Sequence, residues 1–191
     1  MVIESLSKII KERRTHYASE FSDQPISKKK IECIVENALW APTHKLTQPW
    51  RFVVLDGNHK KDIGMYMANY YRKLFSVDDF SDERFEETKK YAKNASILAI
   101  MCKPSPRLPD WEEIAAVSCA VQNIWLSCTA MKIGGYWDTG VATIKYVENS
   151  IKLDDGERCL GVFFMGYLKD NLIEINRKRK SLSKKLSWHI K

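Results

Sequence analysis

The sequence predicts an α+β fold with a central sheet, and three observations carry that prediction. Apolar residues at Ile31, Ile34, Val35, Ala38 and Leu39 fall at i, i+3, i+4, i+7 and i+8, the spacing of one helix face. Continuous apolar runs at residues 52–55, 95–102 and 160–167 suit strands that are covered on both faces. Residues 111–131 are apolar on nearly every side, which predicts a wholly buried helix. The chain has 191 residues and carries no repeat, low-complexity tract or linker. One domain, 1–191, is expected, with a basic C-terminal extension from about residue 176.

Taken in order, Ile3, Leu6, Ile9 and Ile10 mark a first helix that ends near Arg13 and Arg14. Gln24-Pro25 interrupts the chain, and Ser27 is a candidate N-cap for the second helix. Pro42 stops that helix, because the residue before a proline is pushed out of the helical region. Residues 51–55 read as a buried strand bounded by the turn Asp56-Gly57-Asn58. Residues 60–93 read as helical around a loop-like middle at 76–81, a candidate mobile lid. The strand at 95–102 follows, and Pro104, Pro106 and Pro109 then force an irregular loop before the long helix. The Gly-rich segment 133–140 reads as a turn after that helix, and 160–167 reads as a second buried strand.

Composition narrows the function classes. With 45% hydrophobic and 29% charged residues, the chain has the profile of an ordinary folded globular protein. No apolar run approaches the roughly 20 residues of a membrane span. The N-terminal stretch, with Glu4 and no long apolar core, does not read as a signal peptide. Cys33, Cys102, Cys119, Cys128 and Cys159 are odd in number and never at Cys-x-x-Cys spacing. They are expected to be mostly buried structural thiols in a reducing cytoplasm, not disulfides or a metal site. The net charge of +7 is uneven: seven of the 31 basic residues lie between Arg177 and Lys191, where there is no acid, and the other 24 are balanced by 24 acids. A nucleic-acid-binding body would carry its own basic face, and none is evident.

Three segments carry chemistry. Arg13-Arg14-Thr15 sets two guanidinium groups and a hydroxyl at a helix end. That suits either a favourable interaction with the helix dipole or the recognition of an anionic group. The loop Trp40-Ala41-Pro42-Thr43-His44-Lys45-Leu46-Thr47-Gln48-Pro49-Trp50 is stiffened by two prolines yet rich in polar side chains, the kind of scaffolded loop that carries function. Trp50 itself reads as core. The segment Gly134-Gly135-Tyr136-Trp137-Asp138-Thr139-Gly140 is either a helix C-cap and turn or a place where backbone N–H groups approach a flat ring closely. Dinucleotide (Gly-x-Gly-x-x-Gly) and Walker fingerprints, metal-ligand spacing and Gly-x-Ser-x-Gly are all absent.

The Arg-Arg-Thr element, the Ala-Pro-x-x…Gln-Pro-Trp loop and the Gly-rich segment after a long helix, in this order, resemble the nitroreductase family of flavin enzymes, above all its short single-domain members. The resemblance runs from about Ile3 to Trp188. It implies a central mixed or antiparallel sheet surrounded by helices, with the long buried helix at the interface of a homodimer that shares two active sites. It also implies FMN as cofactor and NADH or NADPH as transient donor. Hydride would pass through flavin N5 to an electron-poor small acceptor such as a nitroaromatic or a quinone, by a ping-pong mechanism. The flavin contacts it implies are Arg13, Arg14 and Thr15; Trp40, His44 and Gln48, whose loop reaches the partner's flavin; Gly135, Trp137, Asp138 and Thr139 beside the ring; and Arg177 and Arg179 at the phosphate. No catalytic acid–base residue and no metal ligand is expected. Asp138 departs from expectation, since it sets an acid beside a ring that gains negative charge. The rival readings are another flavin-linked reduction on the same fold (of an enone, or by dehalogenation) and a nucleic-acid- or membrane-surface-binding module worked by the basic tail.

Overall fold

A computed structural model describes residues 2–170, 172 and 177–190. The predicted start of the basic extension, about residue 176, and Lys191 lie outside them. Among the described residues the helices are α1 (Val2–Glu12), α2 (Lys28–Ala38), α3 (His59–Leu74), α4 (Asp82–Lys89), α5 (Asp110–Ala130) and α6 (Val141–Ser150). The strands are β1 (Trp50–Leu55), β2 (Ser96–Cys102), β3 (Ile133–Asp138) and β4 (Arg158–Tyr167), paired in the order β1-β2-β4-β3.

Every pairing of these strands is antiparallel, so of the two sheet types anticipated the antiparallel one is present, with four strands among the described residues where three apolar runs were read. Alternation along β2 divides the core. Leu98, Ile100 and Cys102 face a layer with Ile34 and Ala38 of α2 and Val117, Val121 and Ile124 of α5. Ile97, Ala99 and Met101 face the opposite layer with Ile63 and Met67 of α3 and Tyr146 and Val147 of α6. Helices therefore cover both faces, which is why β2 and the centre of β4 read as unbroken apolar runs.

The structure corrects some of the expectations and bears out others. Residues 133–140 are not a turn: 133–138 form β3, whose glycines pair with Gly166 and Met165 of β4. β1 is an edge strand with Val54 exposed, because only β2 pairs with it. The helical stretch after it is two helices, α3 and α4, with turns from Lys90 to Asn94 leading into β2. Ser27 sits at the N-cap of α2 without a side-chain capping bond. The long helix α5 is not buried all round: Trp111, Ala115, Cys119, Gln122 and Ala130 are exposed along one side. Of the thiols, Cys102, Cys128 and Cys159 are buried while Cys33 and Cys119 are exposed, and none is in a disulfide. Helix α1 buries no residue, and Val2, Ile3, Leu6 and Ile10 stand exposed on it. Among the described residues, no helix is long and apolar enough to cross a membrane.

Candidate active site

The chain leaves α1 at Glu12 and runs past the free edge of β3, which lacks a strand partner on that side. The His16 N–H donates to the Gly135 carbonyl at 3.2 Å, and the Trp125 indole N–H of α5 donates to the Arg14 carbonyl at 3.0 Å. Residues 13–17 are thereby strapped between α5 and the sheet edge. At the far end of β3, Gly161 of β4 has φ +128°, and a Cβ there would lie 2.3 Å from the Asp138 carbonyl oxygen and 2.7 Å from Trp137 Nε1. Only glycine lets the end of β3 come this close to β4.

Between strap and strand end opens a cleft of about 530 Å³. Thr15, Trp137, Asp138 and Thr139, all expected at the site, line it together with Tyr71, Tyr91, Trp125 and Tyr136. The Asp138 carboxylate accepts the Gly140 N–H at 2.6 Å, at the start of α6. It is thus occupied at the positive end of a helix dipole. The Tyr91 and Tyr136 hydroxyls share a hydrogen bond, and Tyr136 stacks on Phe164. Burial pushes both hydroxyls above the usual phenol range, so both remain protonated donors at neutral pH. Gly135 is buried beside the Phe163 ring and outside the cleft lining, with its carbonyl taken by His16.

Positive charge gathers at the strap. The Arg13 guanidinium lies over the Trp125 ring, 4.4 Å from its centroid, and its buried Nη1 has no hydrogen-bond partner among the described residues. Burial lowers its pKa, and Arg179 and Arg14 lower it further as neighbouring like charges. Arg14 turns back and donates to the Lys11 and Glu12 carbonyls at 3.1 and 3.2 Å. Arg177 donates to the Lys11 and Arg13 carbonyls. These two arginines satisfy carbonyls at the C-terminal end of α1. Arg13 and the exposed Arg179 keep donors to spare. A buried cationic donor beside like charges calls for an anion. Trp137 Nε1, packed against Gly161, is also buried and has no hydrogen-bond partner among the described residues. A flavin nucleotide matches this donor set, with an anionic phosphate for the cations and acceptor atoms on its ring for N–H groups.

The remaining predicted residues are elsewhere in the same chain. Trp40 is 84% exposed. His44 Nδ1 lies 2.6 Å from Glu112, and the Thr47 hydroxyl donates to Glu113 at 2.8 Å. The Gln48 N–H donates to Thr43 at 3.1 Å. Positive φ angles at Lys45, Leu46 and Gln48 wind this loop tightly against the N-terminal end of α5. Trp125 is 13 residues further along α5, about 20 Å at 1.5 Å per residue. One chain thus holds two separated groups of predicted residues. Trp50 is buried, as expected of core.

Sequence reasoning passed over Tyr71, Tyr91, Trp125 and Tyr136. Trp125 looks like one more apolar residue of a core helix, and only its hydrogen bond to the strap reveals another role. A usable signal was Tyr136 beside Trp137, two aromatic residues with polar ends in one short glycine-rich segment.

Comparison with known proteins identifies the family and the fold. The sequence model of the nitroreductase family matches residues 10–167. YfhC of Bacillus subtilis, provisionally named an NAD(P)H nitroreductase, is 26% identical over 177 residues, covering 91% of this chain and 89% of its own. A nitroreductase-like family protein from Bacillus cereus superposes with a TM-score of 0.76 at 22% identity, covering 95% of this chain and 94% of that one. A Bacteroides fragilis nitroreductase with bound FMN superposes with a TM-score of 0.68 at 16% identity, covering 93% and 95%. The chain belongs to the nitroreductase family, a family of flavin-using oxidoreductases.

Proposed function

We propose that the cleft between the strap and the end of β3 holds FMN, and that the protein passes hydride from NADH or NADPH to an electron-poor small acceptor, a nitroaromatic or a quinone. The observation that carries this reading is Arg13, a half-buried guanidinium with an unmet donor, set against an aromatic wall and crowded by Arg14 and Arg179. Arg13 and Arg179 would hold the phosphate, and Thr15 and the segment 137–139 the ring side. When bound, FMN supplies the redox chemistry, taking hydride from the nucleotide in one half-reaction and delivering it to the acceptor in the next.

The part played by this chain is positional and electrostatic. Fixed donors, the Tyr91 and Tyr136 hydroxyls among the cleft-lining groups, would meet charge without having to reorganise. The Gly140 N–H holds the Asp138 carboxylate at the start of α6, which eases the conflict of an acid beside an electron-rich ring. Tyr71, Tyr91, Trp125 and Tyr136 give the walls aromatic surface against which a flat ring can pack.

In this reading the site is completed by a second copy of the chain. Trp40, His44 and Gln48 lie too far from the cleft of their own chain to serve it, and the open apolar sides of α1 and α5 offer the surface for a homodimer. The basic residues from about 176 form an extension of a single domain. Buried thiols at Cys102, Cys128 and Cys159 fit a reducing cytoplasm.

Two experiments test the reading. The FMN-loaded protein, freed of excess flavin, is mixed anaerobically with NADH or NADPH, desalted, and mixed with a nitroaromatic or a quinone. Bleaching of the flavin band, then its return with no nucleotide left, is the expected result; reoxidation that requires retained nucleotide contradicts the two-step order. Mixing Arg13→Gln with a Trp40→Ala/His44→Ala variant should restore about a quarter of wild-type activity if each site draws on both chains. No restoration in exchanged dimers contradicts the shared site.

A further inference from the structure

A second hollow, of about 710 Å³, adjoins the cleft and shares Tyr71, Thr88 and Tyr91 with it as a common wall. Its interior is aromatic, with buried Phe21 and Phe80 beside Tyr71, Phe75 and Tyr91. Its rim is cationic: Arg84, Lys90, Lys93 and Lys169 stand against a single acid, Glu87. None of these four cations has a carboxylate partner among the described residues. Arg84 and Lys169 donate instead to the backbone carbonyls of Asp79 and Ser19, each at 2.7 Å. The neighbouring Lys89, by contrast, is paired with Glu86 at 2.8 Å. The hollow thus joins a face for flat rings to an excess of three positive charges.

We infer that this hollow binds an aromatic carboxylate, with its ring against the phenylalanine and tyrosine walls and its carboxylate at the lysine rim. That this ligand is one the flavin can reduce, held here before it enters the cleft, rests on the flavin reading proposed above; the preference for an aromatic anion rests on the hollow alone. Unpaired cations around a concave apolar surface focus their field inward and raise the local concentration of anions. Aromatic side chains supply contact area for a ring of either charge. Discrimination therefore falls to Arg84, Lys90, Lys93 and Lys169, which favour a carboxylated ring over its neutral analogue. The shared wall places a ligand seated here next to the cleft, with Tyr71 and Tyr91 between them.

The test is a calorimetric titration of the protein with 4-nitrobenzoate and with nitrobenzene, at low and high salt. The FMN-loaded and FMN-free proteins are both titrated, as wild type, Lys90→Gln/Lys93→Gln and Arg84→Gln. Nitrobenzoate is expected to bind about tenfold more tightly than nitrobenzene at low salt. That advantage should shrink with salt and shrink again in the double variant, which leaves Arg84 and Lys169 in place, while nitrobenzene affinity stays constant. A smaller loss in Arg84→Gln is expected if the whole rim contributes. Equal affinities for the two probes overturn the inference, as does an advantage that is undiminished in the double variant. It is equally overturned if the lysine variants weaken NADPH binding and leave nitrobenzoate untouched, since the rim would then serve the donor. The flavin reading fails separately, through loss of FMN on desalting, while the FMN-free titration still reports on the hollow.

Discussion

The Arg13 guanidinium sits 4.4 Å above the Trp125 ring, while the indole N–H of the same tryptophan holds the next residue, Arg14, by its carbonyl at 3.0 Å. One side chain of the long helix thus fixes both the path of the strap and the position of its free charge. Trp125→Phe keeps a ring beneath Arg13 and deletes the N–H. It should cost about 1 kcal/mol of stability in thermal unfolding and weaken FMN binding several-fold as the strap loosens. A lower Tm with unchanged FMN affinity would show that Trp125 serves packing alone.

Gly161 lets β3 and β4 close at the cleft. Gly161→Ala meets both an unfavourable backbone conformation at φ +128° and the Asp138 carbonyl oxygen at 2.3 Å. A loss of about 2 kcal/mol or more is expected in denaturant unfolding, together with weaker retention of FMN because Trp137 and Asp138 must shift. Wild-type stability in this variant contradicts the close approach.

The legible parts of the fold are those where one local rule decided the outcome. Helix α2 announced itself by spacing, and β2 and β4 by unbroken apolar runs between helix-covered faces. The strand β3 was hidden because Gly134 and Gly135 signal turns locally, and only pairing with β4 and contact with Phe163 give them a strand role. α6 went unassigned because Val141, Thr143, Ile144 and Val147 are β-branched and weak helix formers; its packing against α3 and β4 decides it. At the site, short-range motifs found Thr15, Trp137, Asp138 and Thr139, whereas Tyr71 and Tyr91 enter from distant helical and turn segments that carry no motif. Arg14 illustrates the opposite case, where the plain expectation of a charged helix end describes its hydrogen bonds.

Glu157 gives the fold a predictable response to acid. Its nearly buried carboxylate accepts from Arg51 Nε at 2.7 Å and from the Asp154 N–H at 3.1 Å. The Arg51 hydrogen bond holds its pKa below the ordinary value of 4.5, against the effect of burial. A depressed carboxylate pKa contributes stability that is complete above the unfolded value and is lost as pH falls through the folded one. The Tm gap between wild type and Glu157→Gln should therefore be widest at neutral pH and narrow below about pH 4.5. A gap that widens on acidification contradicts the assignment.

The tail separates cofactor binding from surface binding. Arg179→Ala should weaken FMN retention, since Arg179 lies close enough to Arg13 to lower its pKa. Arg177→Ala should act mainly on the end of α1, speeding amide exchange around Lys11 and Arg13, whose carbonyls it holds. Truncation before Arg177 that abolishes binding to DNA or anionic vesicles, with FMN retention intact, would favour the binding-module reading of the basic tail.

The most direct measurement is a titration of FMN fluorescence with the purified protein, run in parallel on wild type and Arg13→Gln. Saturable quenching at one FMN per chain, weakened about tenfold or more in the variant by loss of a charge-assisted contact, is the expected outcome. Fluorescence left unchanged by folded wild-type protein, or equal affinity in the two proteins, would contradict a flavin site built around Arg13.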